Sequence, residues 1–530
     1  MKKTMKQYSF ASQLKSLAVV FGIALTFASC AKDDVVQNPT NKEGDNDKNL
    51  TTFVAGDEAK TRTLLNYNSG DFYWEKDDYI YVKDDDGVLR KSTNAPTQVV
   101  TSFRYRVPGK FGASTSYKVY YLGKNSNGSQ ITISANQSQS KPNNTEHFGT
   151  SGDYGIATAT GALGGSIFSF QLEHQPAYLV FQPYTSSTIL HNCYLTKVEV
   201  TSDNDIAETY TVNTSTGTFT GSAGGKQIVL TTSGSSSNPY GFPLSNSSAS
   251  LTTNGAYMVI KPGIHILRVR YWVKDIATNV EGTITKLLPS AAYVSNTYYD
   301  MTANLDVKKY DGDHYYQWDA KEQYWSGHEW NSSDPWQPTL NGDYNSNYAR
   351  SNSDPRYYND SYPGYGVSNP ATHSCATLPN ANEMFWYAMF GDPRWDGDEL
   401  WTTMGHLYKG GMWFKKKSVL QAEGHYNTEK TFNNYTDLRT NYTSYSNGNS
   451  SINSGLPSTA DANKYFYLPA LGYYSDSGKL YYVGGVGCYW SSSAFPWYDD
   501  ESYYMEFGGG GIRLGNGRRR CGYRVKPFFE

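Results

Sequence analysis

A chain built mainly of antiparallel β-sandwiches and closed by a mixed α+β domain is the fold class that the sequence predicts. Three observations lead there. Apolar and polar residues alternate with a period near two over many short runs in the first 300 residues, with turn-forming clusters between them. No strongly amphipathic helix interrupts those runs. After residue 306 the composition shifts to Trp, Tyr, Asn, Asp and Pro, and a capped helix start appears before strands resume.

The strands follow in order. Residues 51–55 (TTFVA) form a short strand, and 71–82 (DFYWEKDDYIYV) read as strand, turn, strand. Residues 101–107, 116–122, 166–172 and 177–182 alternate, with Lys124-Asn125-Ser126-Asn127-Gly128 supplying turn chemistry. A second set covers 194–200, 208–212, 227–232, 255–260 and 265–273, so a boundary is placed near residue 185. These runs predict one sandwich over 51–185 and a second over 186–305. Residues 331–373 are rich in turn clusters such as Ser-Asn-Ser-Asp-Pro and read as a long ordered loop region or a linker. At Asn380 the side chain can cap a helix, with Glu383 three residues on, and Met384, Tyr387 and Ala388 would line one face. Strands are expected at 465–473, 487–493, 503–507 and 522–528, giving a third domain over 306–530.

The start of the chain carries an address. Lys2 and Lys3 precede an apolar run over 17–27 (LAVVFGIALTF), which has the length of a signal-peptide core and is too short to span a bilayer. Ala28-Ser29-Cys30 follows and resembles a bacterial lipobox, with Phe27 a loose fit. That resemblance implies a signal peptide over 1–29, lipidation of Cys30 and anchoring to the outer membrane; the alternative is an ordinary secretory signal with a chance cysteine. Asp33 and Asp34 resemble the surface-export signal of Bacteroidetes lipoproteins, or are a solvated charge run. Residues 30–50 read as a polar tether.

The chain has 530 residues, a length for about three domains. Its formal charge of −3 gives no broad attraction to nucleic acid. Tyr (47) outnumbers Phe (22), which favours wet, half-buried binding faces over a purely apolar core. Apart from Cys30, four cysteines remain, too few for a disulfide scaffold. Cys488 and Cys521 lie beside expected strands and are candidates to pair, with buried free thiols as the alternative.

Two resemblances extend this reading. TTFVA, Thr61-Arg62-Thr63, FYWEKDDYIYV and residues 172–179 (LEHQPAYL) resemble the fimbrillin family of Bacteroidetes over residues 50–305. The family implies two transthyretin-like sandwiches that polymerise as pilus subunits. A protease cut after a basic residue frees the first strand, and a strand from a neighbouring shaft subunit fills the groove by strand addition. Residues 51–55 would be the removable strand and Arg62 the cut site, with Lys60 close by; an ordinary surface charge is the alternative for Arg62. Residues 376–384 (ATLPNANEM), 465–473 (YFYLPALGY), 487–493 (GCYWSSS) and 522–528 (GYRVKPF) resemble the paralogous C-terminal domains of Bacteroidetes and Fibrobacter surface proteins. These imply a C-type lectin-like fold; Cys488 and Lys526 depart from the pattern.

The tail between the last two strands (GGGGIRLGNGRRR, residues 508–520) would then lie on the face where lectin-like folds bind ligands. Trp497, Tyr498, Asp499, Asp500, Ile512, Arg513, Leu514, Asn516, Arg518 and Arg519 are the candidate ligand-binding residues. Arginines offer forked donors, and Trp and Tyr offer stacking faces. The resemblance also implies that such a surface can be diversified; a plain glycine-rich loop with a basic end is the alternative.

Catalytic motifs were not found: no HExxH, GxSxG or phosphate-cradling Gly-Lys-Ser/Thr pattern occurs. Asp392, Asp396, Asp398 and Glu399 are either a calcium site or solvated acids. The expectation is a non-enzymatic surface adhesin without metal or cofactor, placed at a fimbrial tip and binding a host or microbial surface glycan or protein. The alternatives are a non-polymerising glycan-binding lipoprotein and a glycan-active enzyme.

Overall fold

The computed structural model of the protein describes residues 7–9, 50–56, 64–67, 71–213, 215–216, 218–276, 279–358, 371–432, 436–442, 445–448, 452–453 and 455–525. It is mainly β, with two compact units. The first comprises residues 1–279 and 285–306, the second residues 280–284 and 307–530. Cys30, the tether up to residue 49, Arg62, Lys60 and residues 526–530 lie outside the described residues. Within the expected signal segment, Gln7–Ser9 is a strand paired antiparallel with residues 297–299.

In the first unit, one sheet runs in the order Leu89–Lys91, Ile80–Lys83, Ser116–Tyr121, Gly155–Gly161, Ile167–Phe170, Leu50–Ala55, Phe103–Pro108. The Leu50–Ala55 strand is therefore internal. It runs parallel to Ile167–Phe170 and antiparallel to Phe103–Pro108. Alternation drives Phe53 and Ala55 into the core, both fully buried. The Phe53 ring stacks on Phe168 at 5.4 Å and meets Phe111 edge-on at 5.1 Å. A second sheet joins Ala177–Tyr184 to Ala256–Ile260 on one side and, in parallel, to Thr297–Asn304 on the other. A third path pairs Cys193–Ser202 with Gln227–Thr231 and Gly263–Asp275. The helices described in this unit are short: the four-residue α-turns Phe148–Ser151 and Leu251–Asn254 and the 3-10 turn Leu190–Asn192.

The LEHQPAYL segment has a polar reason to be what it is. Asp153 is fully buried and accepts hydrogen bonds from Tyr178 Oη (2.6 Å) and His174 Nδ1 (3.0 Å). His174 also stacks on Phe72 at 4.1 Å. Both bonds fall on Oδ1, so one oxygen of this buried carboxyl group is fully engaged.

In the second unit, the Ala381–Phe390 helix begins with the expected capping box: Asn380 accepts from the Glu383 N–H, and Glu383 accepts from the Asn380 N–H. Met384, Tyr387 and Ala388 are buried, as the periodicity requires. The YWSSS segment, in the Val486–Ala494 strand, ties this start down: the Ala381 N–H donates to Ser493 Oγ and the Ser492 N–H to the Pro379 carbonyl. Trp490 and Trp318 cross-brace it, donating to the carbonyls of Tyr316 and Ser491. In one sheet of this unit Arg394–Thr403, His406–Lys415 and Tyr465–Pro469 run antiparallel in turn, with Lys308–Lys309 parallel to the first of them. The other runs Tyr315–Tyr316, Tyr523–Arg524, Val486–Ala494, Glu501–Gly508, Gly511–Arg518, Tyr445–Gly448. Arg524 is wholly buried and paired with Asp311 at 3.0 Å.

Two predictions test these cores. Replacing Asn380 by Ala is expected to cost about 1–2 kcal/mol of stability, read by denaturant unfolding. Glu75, only 4% exposed, is pushed up to about 7 by burial, against the Lys124 ammonium 2.7 Å away. Between its unfolded value near 4.5 and about 7 the folded state holds the proton more tightly, so this carboxyl's contribution falls as pH rises. The Glu75→Gln protein, fixed in the neutral form, should therefore gain on the unaltered one by roughly 2–3 kcal/mol from pH 4.5 to 7. Parallel unfolding curves across pH check it.

Candidate functional site

The strands Glu501–Gly508 and Gly511–Arg518 form a tight hairpin, with Gly508 opposite Gly511 and Gly509-Gly510 as the two-residue turn. This resolves the glycine run: it is a hairpin connection. The two strands are part of a sheet whose inner face packs on the Ala381–Phe390 helix.

Strand parity then divides the candidate residues. Ile512 and Leu514 are buried (2% and 1% exposed) in the cluster with Phe385, Tyr503, Met505 and Phe507. They belong to the core, which corrects the expectation that they meet ligand. Arg513 points to the opposite face. It donates to Tyr504 Oη at 2.6 Å and to Glu506 at 3.0 Å. Gly517 leaves room for its cross-strand neighbours, since a Cβ there would come within 3.0 Å of the Tyr504 ring.

Arg519 is a second correction. It is fully buried, its Nε donating to the Glu501 carbonyl and to Ser502 Oγ, both at 3.0 Å. Its guanidinium lies 4.5 Å from the Trp318 ring. Arg518, next in the chain, is exposed and pairs with Asp476 at 2.9 Å. Asn516 donates to Glu501.

Trp497 and Tyr498 are over half exposed, at 53% and 55%. Buried Phe495 holds both: it stacks on Tyr498 at 5.7 Å and meets Trp497 at 6.1 Å. Tyr442 braces Trp497 edge-on at 5.1 Å. Asp499 is exposed beside them, and the Asp500 carbonyl accepts from the Arg519 N–H at 2.8 Å. The loop is thus two anchored rings with an acidic margin, separate in sequence and parity from the Arg513 face.

Cys488 and Cys521 are free thiols in one cluster with Trp490 and Tyr523, the alternative to the candidate pairing. Burial pushes the Cys521 thiol up to about 11 and Cys488 well above its ordinary value, which keeps both as poorly reactive thiols at neutral pH. The acidic run is dispersed among local partners. Asp392 accepts from Arg394 and Tyr465, Asp396 from Trp413, and Asp398 faces Lys409. Among the described residues, no group of three or more His, Cys, Asp or Glu is placed to hold a metal ion. Also among them, no helix is long and apolar enough to cross a membrane.

Sequence reasoning missed Tyr504, Glu506 and Asp476, which complete the Arg513 and Arg518 contacts. The first two were visible as the cross-strand neighbours of the tail once the hairpin register was set; Asp476 was not, because it arrives from another turn.

No protein-family model and no curated protein matches the chain. Among solved structures it is similar to a fimbrial protein of Bacteroides ovatus, at 13% identity and a TM-score of 0.23, over 90% of this chain and 98% of that one. It is similar to a proposed cell adhesion protein of the same species, at 14% identity and a TM-score of 0.30, over 48% of this chain and 93% of that one. A third is the fimbrial anchor protein Mfa2 of Porphyromonas gingivalis, at 11% identity and a TM-score of 0.22, over 46% of this chain and 83% of that one. Likeness at this level fixes neither family nor function.

The parity assignment makes a direct prediction. Leu514→Ala should cost about 2–5 kcal/mol of stability, whereas Arg513→Ala, removing a half-exposed ion pair, should stay within about 1 kcal/mol. Denaturant unfolding of both variants checks it.

Proposed function

We propose that the protein is a cell-surface adhesin: a lipoprotein anchored through Cys30, cut at Arg62, and carried at a fimbrial tip. In this reading the first unit holds two fimbrillin-like sandwiches, and the second is a C-type lectin-like recognition domain for a host or microbial surface ligand. It is a non-enzymatic protein that needs no cofactor.

The observation that carries the reading is the place of the Leu50–Ala55 strand. It is bonded on both sides and inserts Phe53 into the core. Its departure would leave a slot lined by two unpaired edges and an empty aromatic socket. A neighbouring subunit's strand, with a large apolar residue for that socket, would restore both ladders. The retained chain after residue 63 is held independently: Tyr67 donates to Asp300 at 2.5 Å, and its ring packs on Tyr298 at 5.2 Å. A cut at Arg62 would thus free the strand without loosening the chain on the far side of the cut. The Trp497–Tyr498 loop would supply the contact surface of the tip.

In cells, Arg62→Ala should abolish incorporation into fimbriae while leaving the lipoprotein on the surface. Incorporation that persists would overturn the strand-exchange part and leave a non-polymerising surface binder. The full chain with Trp497→Ala should lose attachment to a panel of host cells and bacteria, with unchanged unfolding. Attachment that is absent in the unaltered chain would overturn the adhesin reading itself.

A further inference from the structure

Three tyrosines of the second unit stand together at the surface with uncommitted hydroxyls. Tyr473 lies in the Leu471–Tyr474 strand and Tyr481 opposite it in Leu480–Val483. The next pair along, Tyr474 and Leu480, is fully buried in a cluster with Tyr315, Trp325 and Met404. Alternation therefore turns Tyr473 and Tyr481 to the other side. By the same alternation Tyr482 should turn inward. It does not: it is 55% exposed, with its ring 5.7 Å from Tyr481 and 6.1 Å from Tyr473.

The cause is its backbone. Tyr482 has φ +57°, the left-handed region, as does Gly472 at +65° on the neighbouring strand. At Gly472 the conformation is free of steric cost, but at a bulky residue it costs roughly 1–2 kcal/mol. The strand spends that strain on placing two consecutive tyrosines on one face. Tyr473 and Tyr481 complete the triangle at 5.8 Å, and the three ring planes are inclined to one another by 31° to 40°. Among the described residues none of the three hydroxyls takes part in a hydrogen bond within the molecule.

Beneath this edge Tyr523, 5.4 Å from Tyr473, and Tyr504 are buried and support it, and the Arg513 guanidinium lies 5.7 Å from the Tyr504 ring. Two of the three cations at the margin of the triangle are paired with carboxylates. Arg513 pairs with Glu506 and Arg518 with Asp476, while the Lys479 ammonium lies 5.1 Å from the Tyr481 ring centre.

We infer that Tyr473, Tyr481 and Tyr482 form a binding platform for a neutral oligosaccharide. The inference names the ligand class of the recognition domain proposed above and rests on that reading. Tyrosine suits the ligand because its ring meets the C–H faces of a sugar while its hydroxyl meets the sugar hydroxyls. With Arg513 and Arg518 both paired and Lys479 engaged on the Tyr481 ring, the margin favours a neutral ligand over an anionic one. A protein partner fits less well: a stable interface takes about 800 Å² per partner, and three tyrosines, two of them half-buried, offer far less.

The test uses the full chain and soluble xylohexaose, mannohexaose and chitohexaose, with polygalacturonate as the acidic comparison. Titration calorimetry should detect binding of at least one neutral hexasaccharide. Tyr482→Gly keeps the left-handed backbone and removes the ring, so it should weaken that binding by about tenfold or more while its thermal midpoint stays the same or rises. Tyr481→Ala should weaken it as well. The platform is overturned if no neutral hexasaccharide binds, if polygalacturonate is preferred, or if Tyr482→Gly binds as the unaltered chain does. Cell attachment measured on the same proteins separates the two readings. Attachment lost in Trp497→Ala but unaffected by Tyr482→Gly or by the bound hexasaccharide overturns the platform and leaves the adhesin standing. Attachment lost in Tyr482→Gly that no hexasaccharide competes away means a protein ligand, and overturns the glycan assignment.

Discussion

A β-strand can bury only every second residue on one face, and that constraint organises the second unit. Along the closing hairpin it sends Met505, Phe507, Ile512 and Leu514 to the capped helix, and Tyr504, Glu506 and Arg513 to the other face. The helix can dock because the inner positions are uniformly apolar. The outer face can carry polar chemistry because it has no part in that docking. Where the rule is broken, at Tyr482, a left-handed backbone is the means.

The first unit meets a different demand: polar groups at depth. Asp153 is answered by His174 and Tyr178, Asp78 by Tyr121 and the Glu75 N–H, and Asp300 by Tyr67 and Gln182. Apart from the local Glu75 N–H bond, each pairing links segments more than 20 residues apart in the chain. Such bonds give little net stability but penalise mispairing heavily, because a lone buried carboxylate is costly. They fix which strand lies against which, where apolar packing alone would tolerate slippage.

Most strands were readable, since alternation and turn residues are local signals. The capped helix was readable for the same reason, as Asn380 and Glu383 sit three residues apart. The ligand face was only partly so. Trp497, Tyr498, Arg513 and Arg518 do reach the surface, but Ile512, Leu514 and Arg519 are buried. Composition marked the tail as unusual without revealing its parity, which depends on where the Gly509-Gly510 turn falls. Arg519 was beyond reach for another reason: its burial comes from Trp318, about 200 positions earlier in the chain. The tyrosine platform escaped because a left-handed tyrosine leaves no mark in a residue string.

The Leu50–Ala55 strand has one parallel and one antiparallel neighbour. A segment entering that place reproduces both hydrogen-bond patterns only if it runs the same way; reversed, it exchanges one pattern for the other and loses the existing alignment. A slot left by that strand would therefore read direction as well as side chains. Subunits joined through it would all face one way, so a fibre built on it would have a head and a tail and would grow by a head-to-tail rule.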